Sequence, residues 1–416
     1  MKRFALVAGL LFLTSCASRD CENQLQSILL HDRNGFQETI SSEDRLALYA
    51  NTDFERPQGY EKVIRTYARD TSGSAKSIIT TYHANGLIKQ SLTCINGRAR
   101  GEYKEYYENG YPKVEATIIE GVADVTDEAK GSWVFDGTSK AWSENGALSA
   151  KIEYAKGKLT GDAFYYHSNG EIEKQVPYEE GKIHGMVRQF DESGTQLGIY
   201  TYQRGEKQGK SIFKGSKEVP PFREQYERGK LIRGEYEDFA GEVVATVDNG
   251  EGTRVLFEAG NLQAKQSIAQ GQVEGECFEY KKGILHSTFV LHEGKKHGLE
   301  TLFYDDGNPK LAINWVHGVI QGQSKTWYPN GTVQSEVTLH DNVKHGMSVS
   351  WYEDGALMHV EEYKKGILET GKYFSKGEEA SPISIIEKGK GLAHLFDKQG
   401  TLIEKVKYED GLPVEE

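Results

Sequence analysis

The chain has 416 residues, 50 Lys and Arg against 62 Asp and Glu, and a formal net charge of −12. That acidic balance argues against a nucleic-acid binder, which presents a basic face, and the 23 Tyr, 16 Phe and 5 Trp exclude wholesale disorder. Glycine is abundant at 46 and proline sparse at 9, a combination that points to tight turns between strands rather than to a linker. The length suits two or three ordinary domains or one extended repeat array.

Lys2 and Arg3 precede an apolar run from Phe4 to Leu13. The run is too short to span a bilayer as a helix and has the size of a secretory signal's apolar region. Leu13-Thr14-Ser15-Cys16 follows directly. These residues resemble the bacterial lipoprotein signal, in which the cysteine is acylated and becomes the mature N-terminus. The resemblance implies a signal peptide over residues 1–15, lipidation of Cys16 and, because Ala17 and not Asp follows, residence at the outer membrane. Two or more acyl chains anchor stably where one does not. Cleavage removes Lys2 and Arg3 and takes the net charge from −12 to −14. The alternative is an ordinary signal peptide with an incidental cysteine. Cys21, Cys94 and Cys277 allow at most one intramolecular disulfide, and no Cys-x-x-Cys spacing occurs. Cys94 and Cys277 read as buried small apolar side chains.

Residues 16–77 form a lipid-anchored cap or tether. Ser41-Ser42-Glu43-Asp44 ahead of Arg45-Leu46-Ala47-Leu48-Tyr49 reads as a capped helix start, and the segment is taken to cover the first sheet edge, since open edges invite aggregation.

From residue 78 to 416 the sequence repeats with a period of about 24. One glycine opens the register at Gly86, Gly110, Gly146, Gly170, Gly194, Gly260, Gly283, Gly307, Gly331, Gly355 and Gly400. Four residues before it stand aromatic side chains, taken as the repeat core: Tyr82, Tyr106, Trp142, Tyr166, Phe190, Phe303, Trp327, Trp351 and Phe396, with Leu256 and Glu279 in weaker units. A second glycine lies eleven residues on, as in Gly97, Gly181 and Gly366, and a third four later, as in Gly101, Gly185 and Gly346. Asn-Gly, Asp-Gly and Ser-Gly supply positive φ for hairpin turns, and apolar residues at even offsets such as Ile172, Val176 and Tyr178 give a strand's period of two. The expected fold is all-β: an elongated, mostly single-layer antiparallel sheet of about 13 hairpins, with a small mixed cap. Residues 122–137 and 235–250 read as inserts, and 210–228, with Pro220-Pro221, as irregular.

Segments such as Trp351-Tyr352-Glu353-Asp354-Gly355 with Tyr363-Lys364-Lys365-Gly366 resemble the MORN-variant repeat of bacterial proteins. The resemblance implies a repetitive antiparallel sheet and no single activity, its members including surface lipoproteins and antitoxin-like proteins.

His292-Glu293-Gly294-Lys295-Lys296-His297 is one residue longer than the zinc-protease motif and sits on a repeat turn. Gly205-Glu206-Lys207-Gln208-Gly209-Lys210-Ser211 has three residues between glycines where a phosphate loop has four. His184, His297 and His345 recur before the third glycine, but equivalent positions one unit apart are about 9 Å distant, too far to share a metal. They read as solvated turn histidines, at most a pH-sensitive patch. The pairs Glu179-Glu180, Asp305-Asp306, Glu361-Glu362 and Glu415-Glu416 read as solvated turn charges, since neighbours in a strand face opposite ways. No catalytic, cofactor or metal residues are assigned. The sequence therefore points to a non-enzymatic envelope lipoprotein scaffold for a protein or cell-wall glycan partner, with an antitoxin-like or immunity protein as the alternative. An edge strand from Thr401 to Tyr408 offers end-to-end self-association.

Overall fold

The computed structural model describes residues 25–54, 56–69, 72–377 and 381–414; the signal segment, Cys16 and Cys21 lie outside the described residues. Among the described residues there are 36 strands and two short helices, and every strand pairing is antiparallel. The chain divides into two units, residues 1–196 and 197–416.

In the first unit, Leu25–Asp32 lies between Gln37–Ile40 and Glu61–Arg69, and Glu61–Arg69 pairs onward with Ala75–Tyr82. Residues 25–69 thus extend the sheet rather than cover its edge, because Ile28, Ile40 and Ile64 alternate inward at strand spacing. The strand Gln37–Ile40 becomes the edge. A helix α1 (Glu43–Ala47) does start where the capping pattern placed it, but the Ser42 side chain makes no cap bond; Glu43 and Asp44 in the first turn favour the helix electrostatically. Leu46 packs with Ile28, Ile40, Ile64 and Tyr82. Residues 122–137 are no free loop. Helix α2 (Asp127–Lys130) is capped by Thr126, whose hydroxyl accepts from the Ala129 amide at 3.3 Å. Trp133 then buries against Leu92, Cys94, Ala99 and Ile118, and Arg65 pairs with Asp124 at 2.6 Å.

In the second unit, the segment read as the insert 235–250 is ordinary sheet: Lys230–Glu237 pairs with Val243–Asp248, and Tyr236 and Val247 join a core with Tyr226, Leu231, Val255 and Ile268. Pro220 and Pro221 stand just ahead of the strand Phe222–Glu227, where no ladder donor is missed. The final core holds Leu368, Tyr373, Ile386 and Ala393. Thr401–Tyr408 is not the terminal strand, since Asp410-Gly411 turns Leu402–Glu409 into Leu412–Val414.

Two kinds of turn alternate, and they differ from the sequence expectation. At the first glycine only the glycine is left-handed: Gly110 (φ 85) donates to the Tyr107 carbonyl at 2.9 Å, and Tyr107 donates to the Tyr111 carbonyl at 2.9 Å. The tight two-residue turn falls at the second glycine, where the preceding residue is left-handed as well, as in Glu180-Gly181 (φ 50 and 82). Both positive φ values give that turn the twist of the strands it joins. Gly260 and Gly283 close turns of the tight kind, with Ala259 and Lys282 also left-handed, which is why Leu256 and Glu279 break the aromatic slot.

Ala259 is exposed at φ 47, a conformation that Asn adopts more readily. Ala259→Asn is expected to raise stability by about 0.5–1 kcal/mol in denaturant unfolding. Gly252→Ala is expected to cost about 3 kcal/mol, because its Cβ would stand 2.2 Å from the Thr246 carbonyl oxygen at φ 142.

Candidate functional site

The aromatic slot recurs through the repeats of both units. Each of its residues ends a strand just before the longer turn and faces an aliphatic or proline side across it: Tyr82 opposite Ile88, Tyr106 opposite Pro112, Trp142 opposite Leu148, Tyr166 opposite Ile172. In the second unit Phe303 faces Pro309, Trp327 faces Val333, Trp351 faces Leu357 and Phe396 faces Leu402. Tyr82 is buried at 5% exposure. Tyr106, Trp142, Tyr166, Phe190, Phe303, Trp327, Trp351 and Phe396 are half-buried. The deepest positions lie elsewhere, in small side chains two residues past the third glycine, such as Ala163, Val187, Ser211, Cys277 and Ser348.

What holds the aromatic row in place is the residue after it, which the sequence reading passed over. Tyr107 Oη donates to the Trp142 carbonyl at 2.8 Å, Tyr304 Oη to Trp327 at 2.7 Å, Tyr328 Oη to Trp351 at 2.9 Å and Tyr352 Oη to Phe374 at 2.7 Å. Where histidine fills the slot the bond persists, with His83 Nε2 2.9 Å from the Tyr106 carbonyl and His167 Nε2 3.0 Å from that of Phe190. The turn asparagines add a parallel link. Asn85, Asn109, Asn169 and Asn330 each donate through Nδ2 to a turn carbonyl of the following unit, that of Glu108, Glu144, Glu192 and Glu353. The signal was legible as a recurring Tyr or His directly after the aromatic.

Buried carboxylates form a second recurring element. Glu361, read from sequence as a solvated turn charge, is 5% exposed; it accepts from Tyr363 Oη at 3.0 Å and Tyr373 Oη at 2.8 Å. A mid-strand position, not a turn, turns it inward while Glu362 points out. Glu224 accepts from Tyr226, Tyr236, Arg254 and Lys207 at 2.8–3.3 Å. Burial pushes its carboxyl up, but Arg254 and Lys207 with the two hydroxyls overcome that and hold it below the carboxylate range. Glu105 follows the same logic: burial opposes ionisation, and Lys113, Tyr103 and Lys130 bring it to about 2. With every oxygen engaged by fixed cations and hydroxyls, these groups are ionic hubs of the fold rather than acid–base catalysts.

A cleft of about 750 Å³ lies against α1, lined by Leu25, Leu46, Tyr49, Phe54, Thr66 and Ile78. A small one of about 60 Å³ beside Glu224 is closed by Pro220, Pro221, Phe222 and Phe257. Cys94 and Cys277 are buried free thiols, and burial pushes the Cys94 thiol up to about 11. His184 lies 3.1 Å from Glu179.

Tyr352 is fully buried, so Tyr352→Phe is expected to cost about 1–2 kcal/mol by leaving the Phe374 carbonyl unbonded, read as a lower denaturant midpoint. The folded-state pKa of Glu105 lies below its ordinary 4.5. Its contribution, on the order of 3 kcal/mol, is therefore present above about pH 4.5 and lost as the pH falls toward 2. Unfolding curves of wild type and Glu105→Gln between pH 2 and 6 are expected to converge at the acid end.

The family model of the MORN repeat variant matches residues 100–119, 159–180 and 320–341. Each match takes in two strands and the longer turn between them, as in Gly161–Tyr166 and Ile172–Glu179. Among curated proteins nothing matches the sequence. Among solved structures, a chain of the Tc holotoxin pore of Photorhabdus luminescens aligns at 11% identity and a TM-score of 0.15, over 93% of this chain and 25% of that one. This chain thus spans about a quarter of that protein, and a likeness at that score carries nothing about function. At the three matched places the chain is built of the MORN repeat variant, a hairpin repeat that suggests a binding scaffold and is in general not catalytic.

Proposed function

We propose that the chain is a non-enzymatic binding scaffold of the bacterial envelope, lipid-anchored at the outer membrane through acylated Cys16, with a protein or cell-wall glycan as its partner. The observation that carries the reading is the half-buried aromatic row. Eight rings keep part of their surface in solvent, five of them tied through their backbone carbonyls to the preceding unit, and rows of partly exposed aromatic side chains mark interfaces. Met186, Leu299 and Met347, all directly after the third glycine, add exposed apolar surface at 49%, 58% and 47%. A repetitive open sheet gives catalysis little to work with. The net charge of −14 after cleavage would be repelled by anionic lipid headgroups, which favours a protein or glycan partner. The anchor rests on the sequence of residues 2–17. End-to-end pairing of chains through the open part of the strand Leu402–Glu409 belongs to the same proposal, and cross-linking of the purified chain would reject it by yielding monomer alone.

Metabolic labelling with a clickable fatty acid and membrane fractionation test the anchor. Wild type is expected to carry label and sediment with the outer membrane, and Cys16→Ala to lose both. An unlabelled, soluble wild type would sink the anchor and leave neutralisation of a basic toxin as the better reading. Trp327→Ala with Trp351→Ala is expected to weaken partner binding at least tenfold.

A further inference from the structure

We infer that His292, His297 and His317 bind one divalent transition-metal ion of the zinc, copper or nickel class, with Glu274 orienting His292 for it. The proposal does not rest on the anchor or on the aromatic row. The sequence reading weighed only histidines in equivalent repeat slots, which the strand spacing keeps apart. The structure instead brings together three from different slots. His292 ends the strand Ile284–His292, and His297 precedes Gly298–Phe303. His317 occupies the left-handed position of the next tight turn, at φ 50. Pairing of Gly298 with Trp315, and the Gly318 amide donating to the Lys296 carbonyl at 2.8 Å, set that turn beside His297.

The ring centroids are 5.8 Å apart for His292 and His297, 6.0 Å for His292 and His317, and 5.1 Å for His297 and His317. Three imidazoles on one ion at metal–nitrogen distances of ~2.0–2.1 Å place their centroids about 5 Å apart. The triangle is therefore close to the required size. His292 Nδ1 lies 2.6 Å from Glu274 Oε1, and the other oxygen of Glu274 accepts the Glu293 amide at 2.9 Å. With the proton on Nδ1 facing the carboxylate, the Nε2 lone pair of His292 is left for a metal, the arrangement by which carboxylates position imidazole ligands. His297 Nδ1 accepts the His317 amide only at 3.4 Å; ligation through Nε2 moves its proton to Nδ1 and gives up this long bond. Of the two lysines of the strand Lys295–Lys296, Lys296 is drawn off by Glu300 at 2.5 Å, and Lys295, opposite His292 in the ladder, is exposed and free to swing into solvent.

Among the described residues no three such groups stand ready around a single point. The site is one that the ion assembles: His292 and His317 are exposed and reorient about their side-chain torsions, closing a remaining gap of up to about 1 Å between rings. Imidazole ligands favour zinc, copper and nickel over calcium or magnesium. The fourth position is left to water or to a donor from a bound partner.

Titration calorimetry of the full chain, produced without an affinity tag, with zinc chloride tests the assignment. One ion per chain is expected. His292→Gln or His317→Gln should weaken binding at least tenfold, and Glu274→Gln about tenfold. His340→Gln, in the separate pair with His345 at 6.1 Å, should leave it within about twofold. Melting curves of the turn variants check that the fold persists. Absence of zinc binding, binding that survives His292→Gln combined with His317→Gln, or loss caused by His340→Gln instead would overturn the proposal.

Discussion

The left-handed pair at each tight turn is the constraint on which the rest depends. A strand slipped by one residue would exchange its two faces, and a sheet whose strands alternate small buried and larger half-buried side chains has little else to prevent it. The turn fixes the register because a two-residue connection with both φ values positive matches the twist of the strands it joins and leaves no residue to slip. Glycine supplies the second value nearly everywhere, with Asn342 standing in after Asp341. The first is carried by whatever residue the surface prefers, Lys, Glu, Arg or His, at some conformational cost that the flanking ladder hydrogen bonds offset. That tolerance is what allows His317 to occupy a turn beside two other imidazoles.

With register settled, the interior is filled in an unusual way. Small side chains such as Ala163, Ser211 and Ala393 leave room on the buried face, and long polar groups reach into it. Glu224, Glu300 and Glu361 are each satisfied by tyrosine, tryptophan, lysine or arginine from neighbouring strands. Removing one partner of such a hub would strand a charge in a poorly solvated place, which costs far more than the hub itself contributes. The hubs therefore specify which strands belong together more than they add stability.

Much of this was readable from residues alone, and the limits were physical. The period, the antiparallel hairpins and helix α1 follow from glycine spacing, alternation and first-turn acids. The Ser42 side-chain bond does not form, and the Arg45 amide it would serve goes instead to the Ser42 carbonyl at 3.1 Å. Residues 235–250 looked like an insert because the tight turn at Ala259-Gly260 shifts the glycine register while the strands continue. Glu361 looked solvated because a sequence shows which residues alternate but not which face a given strand buries. The histidine triangle escaped notice because the spacing argument compared like with like, whereas antiparallel strands bring unlike slots together.

The ties between repeats also have a direction. Along the longer turns the tyrosine, histidine and asparagine side chains of the earlier unit donate and the later unit's carbonyls accept, from His83 to Tyr106 and from Asn330 to Glu353, whereas at the tight turns the later unit's amide donates back, as Gly181 does to Leu159 and Gly318 to Lys296. At the longer turns each unit thus accepts from the one before it and donates to the one after. A chain shortened from its C-terminal side strands donors, in the extreme a buried tyrosine hydroxyl such as that of Tyr352 with nothing to receive it. Shortening from the other side strands the accepting carbonyls of these side-chain ties, which keep a second lone pair and tolerate partial satisfaction better, together with the glycine amides of the tight turns. The repeats are alike in fold, but their two rows of turns are bonded in opposite senses, by side-chain donors pointing forward along the longer turns and by backbone amides pointing back along the tight ones.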